Sequence, residues 1–280
     1  MDAASSSAAP PLPWDSAPSG DLSRYHYDAE EQRKFRLAKP WLRDPHYFRT
    51  VHISPTALLK MAMHARSGGD LEVMGTLQGK VAEHEFVVVD TFPLPVEGTE
   101  TRVNAMAGGY EFMVGYQEEC AKVGRMENVV GWYHSHPNYG CWLSGIDVST
   151  QRTNQEAQEP WLAIVVDPVR TMTAGKVEIG AFRTFPTGYK PTKDDASATH
   201  RTVPLDKVED FGVHAGQYYS LDVKYFKSTL DAALLDIMWS KYWASTLSTT
   251  HLVHEPAYVA GQVRDLKGKV ERLGKSLGAA

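Results

Sequence analysis

Val129-Val130-Gly131-Trp132-Tyr133 is a short unbroken apolar run, and two histidines follow it directly, at positions 134 and 136. A run with no polar alternation is what a strand buried on both faces requires. Side chains alternate across a strand, so His134 and His136 project from the same face. Whatever else the chain does, a central strand must deliver two imidazoles to one place. Trp161 to Val166 is a second such run, stopped by Asp167-Pro168. Leu71 to Leu77 and Glu85 to Phe92 read as strands joined across Gly79-Lys80, and Val177 to Phe185 as a half-alternating one. Between them lie helical signals. Ser54-Pro55 pairs an N-cap residue with proline at the first helical position and opens an apolar helix to about Arg66, closed by Gly68-Gly69. Tyr110 to Val123 has helical spacing, with Gly108-Gly109 before it. Strands interleaved with helices predict an α/β fold over residues 51–186, a β-sheet core flanked by helices.

The flanks read differently. Residues 1–23 are mostly Ala, Ser, Pro and Gly, cannot bury enough to order themselves, and are expected to be a disordered tail. Residues 24–50 mix aromatics with charge, as in an irregular lead-in. A polar loop at 187–204, containing Lys190-Pro191-Thr192-Lys193-Asp194-Asp195, is the best internal boundary. Beyond it, residues 205–280 read as a C-terminal helical extension. Phe226, Leu230, Leu234, Ile237 and Met238 line one face of a helix running to about Leu247. Val259, Val263, Leu266, Val270, Leu273 and Leu277 then form a heptad seam, a surface for a partner helix.

Composition narrows the function classes. A net charge of −5 over 280 residues argues against nucleic-acid binding, which needs a basic face. Cys120 and Cys141 are too few for a disulfide scaffold or a Cys-rich zinc site, and they fit a reducing compartment. Neither a secretory leader nor a membrane-spanning run is evident, so a soluble intracellular protein with no membrane role is expected. No Gly-rich phosphate loop of Walker or Rossmann spacing appears.

Two neutral imidazoles, one carboxylate and a position left open to water make up the ligand set of a catalytic zinc. Asp147, eleven residues after His136, is the available carboxylate. Ser144-x-x-Asp147 is also a capping box, and Ser144 can cap a helix while its hydroxyl faces the site. Cys141 lies nearby, but the histidines are claimed by metal, which leaves it as a packing residue. His64, His84, His200, His214, His251 and His254 sit in no comparable strand-borne set and read as surface or satisfied core residues.

His134-Ser135-His136-Pro137, six residues, Ser144, two residues and Asp147 resembles the H-S-H-P-x6-S-x-x-D motif of the JAMM (MPN-plus) zinc metalloproteases, which hydrolyse isopeptide bonds to ubiquitin and ubiquitin-like proteins. That family also carries a glutamate on an early core strand, and Glu72 occupies the corresponding place. The resemblance implies one Zn2+ per chain on His134, His136 and Asp147. It implies Glu72 as the general base that passes a proton to the leaving lysine amine, and Ser144 as a donor to the tetrahedral oxyanion. Gly131 to Gln151, Thr99 to Asn104 and Asp210-Phe211-Gly212-Val213-His214 are similar to the deneddylating branch of the family, which works in the COP signalosome. This implies neddylated cullins as substrates, other signalosome subunits as partners through the C-terminal helices and an MPN-type partner, and a place in cytoplasm and nucleus. Two alternatives stay open: a ubiquitin-directed peptidase with the same site, and a non-catalytic MPN scaffold. One loop reads as a gate. Glu97 to Gly109 is polar and ends in Ala107-Gly108-Gly109, and it carries Glu100 and Arg102, suited to occupy the metal's open position and to pair with Asp147.

Overall fold

The computed structural model describes residues 22–95, 107–174, 177–189, 208–238 and 267. Its core is a closed seven-stranded sheet. In chain order the strands are β1 (Thr50–Ile53), β2 (Met74–Ala82), β3 (Glu85–Pro93), β4 (Asn128–Ser135), β5 (Leu162–Asp167), β6 (Glu178–Thr184) and β7 (Tyr218–Tyr225). In space they run β1-β3-β2-β4-β5-β6-β7, and β7 pairs back onto β1. The helices are α1 (Ala29–Ala38), α2 (Pro55–Ser67), α3 (Ala107–Lys122), α4 (Gly145–Gln158), α5 (Pro168–Ala174), α6 (Val208–His214) and α7 (Thr229–Met238). The α/β expectation, a sheet flanked by helices, holds.

The two apolar runs become β4 and β5, paired in parallel with His134 opposite Val165. On its other edge β4 runs antiparallel to β2, placing Met74 opposite His134. Every residue from Val130 to Ser135 is buried, as a strand covered on both faces must be. The start of α2 also follows the sequence: Ser54 Oγ accepts the Ala57 N–H at 3.1 Å, and Pro55 opens the helix.

Several expectations need correction. Gly79-Lys80 is not a turn: β2 continues through it to Ala82, and the reversal comes at Glu83-His84, where His84 takes φ 62°. Gly79 sits at a register shift, where a Cβ would lie 1.9 Å from the Val87 carbonyl oxygen, so the glycine serves close backbone approach inside a strand. Leu71 and Glu72 precede β2 and are not part of it. The lead-in is not irregular. Asp28 caps α1 by accepting from Glu30 and Glu31, and Gln32 bonds both the N–H and the carbonyl of Val81 where β4 no longer covers β2. Gly108 and Gly109 lie inside α3, not before it.

The largest correction concerns the boundary at 187–204. β7 lies beyond it yet pairs with both β6 and β1, so the sheet that begins near residue 50 closes only at Tyr225. The chain divides after Asp231 instead, into units of residues 1–231 and 232–280. Of the helix face read from Phe226 to Ile237, Phe226 precedes α7 and is buried against Tyr25, whereas Leu230, Leu234 and Ile237 are exposed. The helix path beyond Met238, the heptad seam and residues 1–21 lie outside the described residues. No helix among the described residues is long and apolar enough to cross a membrane.

Candidate metal centre

β4 ends by handing over the two histidines, and α4 begins by handing over the carboxylate. Ser144 is the N-cap of α4: its Oγ accepts the Asp147 N–H at 3.3 Å, and Asp147 Oδ2 accepts from Ser144 N at 2.9 Å and Ser144 Oγ at 2.7 Å. The capping box expected of Ser144-x-x-Asp147 is therefore real, and it aims Oδ2 at the imidazoles. That oxygen lies 3.4 Å from His134 Nε2 and 3.5 Å from His136 Nε2, and the two Nε2 atoms are 2.9 Å apart. Three ligands about 2.05 Å from one tetrahedral zinc would stand about 3.3 Å apart. The two distances to Oδ2 match that spacing, and the two imidazole nitrogens stand somewhat closer together.

The tautomer agrees. His136 Nδ1 lies 2.9 Å from the Gly140 carbonyl, which can only accept, so Nδ1 carries the proton and Nε2 offers its lone pair. Burial alone would raise the Asp147 carboxyl, but without a metal the imidazolium charge of His134 and then His136 would outweigh it and hold the group well below the usual carboxylate range. All three donors are buried, with His134 0%, His136 1% and Asp147 7% exposed, and among the described residues they form the one cluster able to hold a metal ion.

Glu72 joins this cluster through a side chain that the sequence did not single out. Ser135 N donates to the Val73 carbonyl and Val73 N donates to Ser135 Oγ, both at 2.9 Å, which ties the segment before β2 to the space between the two histidines. Glu72 is buried there and accepts a hydrogen bond from the Tyr139 hydroxyl. The Tyr139 ring stacks on His136, with centroids 4.3 Å apart. Burial first, then the Glu72 charge, pushes the Tyr139 hydroxyl above its ordinary pKa and keeps it a donor. His134 is held differently. Its ring stacks on Trp132 at 4.6 Å and 13°, and Trp132 Nε1 donates to Gln151 Oε1 at 2.8 Å. Periodicity marked Trp132 only as apolar and passed over Gln151. The clue was a polar side chain on the inward face of a capped helix.

Beside Trp132 and Met74 opens a cavity of about 230 Å³, lined also by Thr76, Leu94, Thr150 and Trp161. Thr76 Oγ1 and Trp161 Nε1 are buried there without hydrogen-bond partners. The Cys141 thiol is pushed above its ordinary range by burial and then by Glu178 and Asp167, as suits a packing residue. His64 bonds the Tyr133 hydroxyl, His84 the Tyr47 carbonyl and His214 the Gln217 amide, each a satisfied structural contact. His200, His251, His254 and the gating candidates Glu100 and Arg102 lie outside the described residues. Ala107 to Gly109, read as the flexible end of that gate, are helical.

Comparison with known proteins adds a family. Residues 46–160 match the JAB1/Mov34/MPN/PAD-1 ubiquitin protease family. The chain is 58% identical over 266 residues to COP9 signalosome complex subunit 5a of Arabidopsis thaliana, covering 95% of this chain and 74% of that protein. It is 59% identical over 254 residues to COP9 signalosome complex subunit 5 of Drosophila melanogaster, covering 91% of this chain and 77% of the relative. The Aspergillus fumigatus subunit 5 is 55% identical over 254 residues, covering 90% and 76%.

Proposed function

Because this chain carries a JAB1/Mov34/MPN/PAD-1 domain and belongs to the COP9 signalosome subunit 5 family, we propose that it is a zinc-dependent isopeptidase that removes the ubiquitin-like neddylation modifier from cullins. The observation that carries this reading is the convergence of His134, His136 and Asp147 from two elements, with a carboxylate and a hydroxyl beside them. A bare scaffold has no need of buried donors at metal spacing. Zinc held by the three would polarise the scissile carbonyl and lower the pKa of a water at its open position towards about 7. Glu72 takes the proton of the attacking water and gives it to the departing lysine amine. Ser144 donates to the oxyanion that forms as the carbonyl becomes tetrahedral, for which its hydroxyl turns from Asp147 Oδ2, its partner here, a contribution of about 3 kcal/mol in comparable sites. Other signalosome subunits are the partners in this reading, and cytoplasm and nucleus its setting.

Glu72→Gln keeps the shape of the side chain and removes the base. In a complex assembled with the full chain it retains one zinc and binds neddylated cullin, while turnover falls by about a hundredfold or more. Turnover within about tenfold of the parent would exclude Glu72 as the base. Matched neddylated and ubiquitinated substrates decide between the two modifiers.

A further inference from the structure

Asp167 ends β5 fully buried, and none of the roles above uses it. Its Oδ1 accepts from the backbone N–H groups of Asn138 at 3.1 Å, Val169 at 3.0 Å and Arg170 at 2.9 Å. Its Oδ2 accepts from Gly140 N at 2.9 Å. Capping α5 accounts for Val169 and Arg170 and needs one oxygen only. The bonds to Asn138 and Gly140 reach across to the segment that follows His136. Both residues take left-handed conformations, φ 69° and 84°, so this segment has a shape that must be held from outside. Tyr139 sits between the two tethered N–H groups, its ring on His136 and its hydroxyl on Glu72. Gly140 turns its carbonyl onto His136 Nδ1.

We propose that Asp167 is the positioning residue of the centre: by fixing residues 138–140 it orients His136 through the Gly140 carbonyl and Glu72 through the Tyr139 hydroxyl. Its own carboxylate reaches these groups only through that segment. The roles of metal ligand and base rest on the function proposed above; the placement of His136 does not. Partners that orient a ligating histidine typically change metal affinity about 10- to 100-fold when lost.

Asp167→Asn breaks the tether to Gly140, and with it the ion pair between Arg170 Nε and Oδ2 at 3.4 Å. The Asn oxygen can still accept from Asn138, Val169 and Arg170, while its amide turns a donor towards the Gly140 N–H. The full chain, stripped of metal, is titrated with Co2+ against a chelator, and the assembled complex is assayed on neddylated cullin. D167N should bind Co2+ at least about tenfold more weakly, with a shifted ligand-field spectrum and a lowered kcat at near-parent KM. Thr171→Ala is the control: Thr171 Oγ1 donates to the Asp167 carbonyl at 2.6 Å and accepts from Glu178 N at 2.9 Å, so it loosens the same junction without touching residues 138–140. T171A should keep the parent's Co2+ affinity and spectrum. Parent affinity and spectrum in D167N, or an equal loss in T171A, overturns the proposal. If D167N does not fold, Tyr139→Phe decides. Co2+ affinity held with kcat about tenfold lower supports it, and parent kcat overturns it. A parent complex inactive on cullin but a D167N chain weakened for Co2+ would sink the function and leave the positioning role standing.

Discussion

His134 and His136 leave the same strand two residues apart, yet opposite forces hold them. His134 lies flat on Trp132, and its buried Nδ1 makes no hydrogen bond among the described residues. His136 has its Nδ1 on a backbone carbonyl in a segment pinned by a carboxylate. One ligand is placed by apolar packing continuous with the core, where Trp132 joins Met74, Leu143, Val148 and Trp161. The other has rings against it too, Tyr139 stacked at 4.3 Å and Trp142 edge-on at 5.6 Å, but its orientation is set by the polar contact at Nδ1. The two histidines should therefore fail in different ways. Disturbing the support of His134 should cost fold stability as well as metal. Disturbing the support of His136 should lower metal affinity by more than its cost in stability explains.

The largest effect comes from removing the ligands. His134→Ala and His136→Ala should each abolish stoichiometric zinc, since two remaining protein ligands are too few for a stable site. They should differ without metal. H134A opens a hole under Trp132 and should destabilise the chelated protein by about 2–3 kcal/mol, in the range of large-to-small core changes. H136A should cost visibly less. Denaturant unfolding of the two chelated variants measures the gap, and equal losses would break the comparison.

What could be read from the sequence divides along similar lines. β4, β5 and the start of α4 are written in local patterns: apolar runs, a histidine pair, a capping box. β7 is not. Tyr218 to Tyr225 alternates only weakly between buried and exposed, and its partner β1 lies more than 160 residues earlier, so nothing nearby announces a strand. Ten residues of α1 contain one buried side chain, Gln32, and their charge hides a helix fixed by two backbone contacts to Val81. At the site, the proposed ligands could be picked out because metal chemistry restricts residue type and spacing. Their supports could not, because Asp167 reads as the end of a strand and Tyr139 as a loop aromatic until the fold sets them beside His136.

A smaller effect should follow from Gln151→Ala. Gln151 accepts from Trp132 Nε1 and donates to the Trp161 carbonyl at 3.0 Å and to Gln155 at 3.1 Å, all in the interior. Truncation strands the buried Trp132 N–H, at a cost of about 1–3 kcal/mol, while the Trp161 carbonyl keeps Arg183 Nη1 at 2.7 Å. Zinc affinity should fall with it, because Trp132 then loses its lock beneath His134. Set beside D167N, the readout is metal affinity relative to stability: D167N, which also disturbs four buried N–H contacts, should lose more affinity than Q151A. A variant pair with the opposite order would show that packing and polar tether have been assigned to the wrong histidine.

The smallest expected effect tests whether the stacked face of β4, rather than the strand as a whole, carries the coupling. Tyr133 lies between Trp132 and His134 in sequence but points to the other face, where its hydroxyl meets His64 Nδ1 at 2.9 Å. Tyr133→Phe removes one hydrogen bond there and should cost about 1 kcal/mol. Zinc affinity should not change. Burial lowers the pKa of His64 below the ordinary value of about 6.5. The unfolded chain therefore binds that proton more readily than the folded one. Stability from this group is complete above about pH 6.5 and is lost as the pH falls below it. His64→Gln should flatten that decline between about pH 7 and pH 5 in urea unfolding of the chelated protein, again with zinc binding at neutral pH untouched. If Y133F weakens zinc as much as Q151A does, then moving any part of β4 disturbs the site, and the division between a packed ligand and a tethered one is lost.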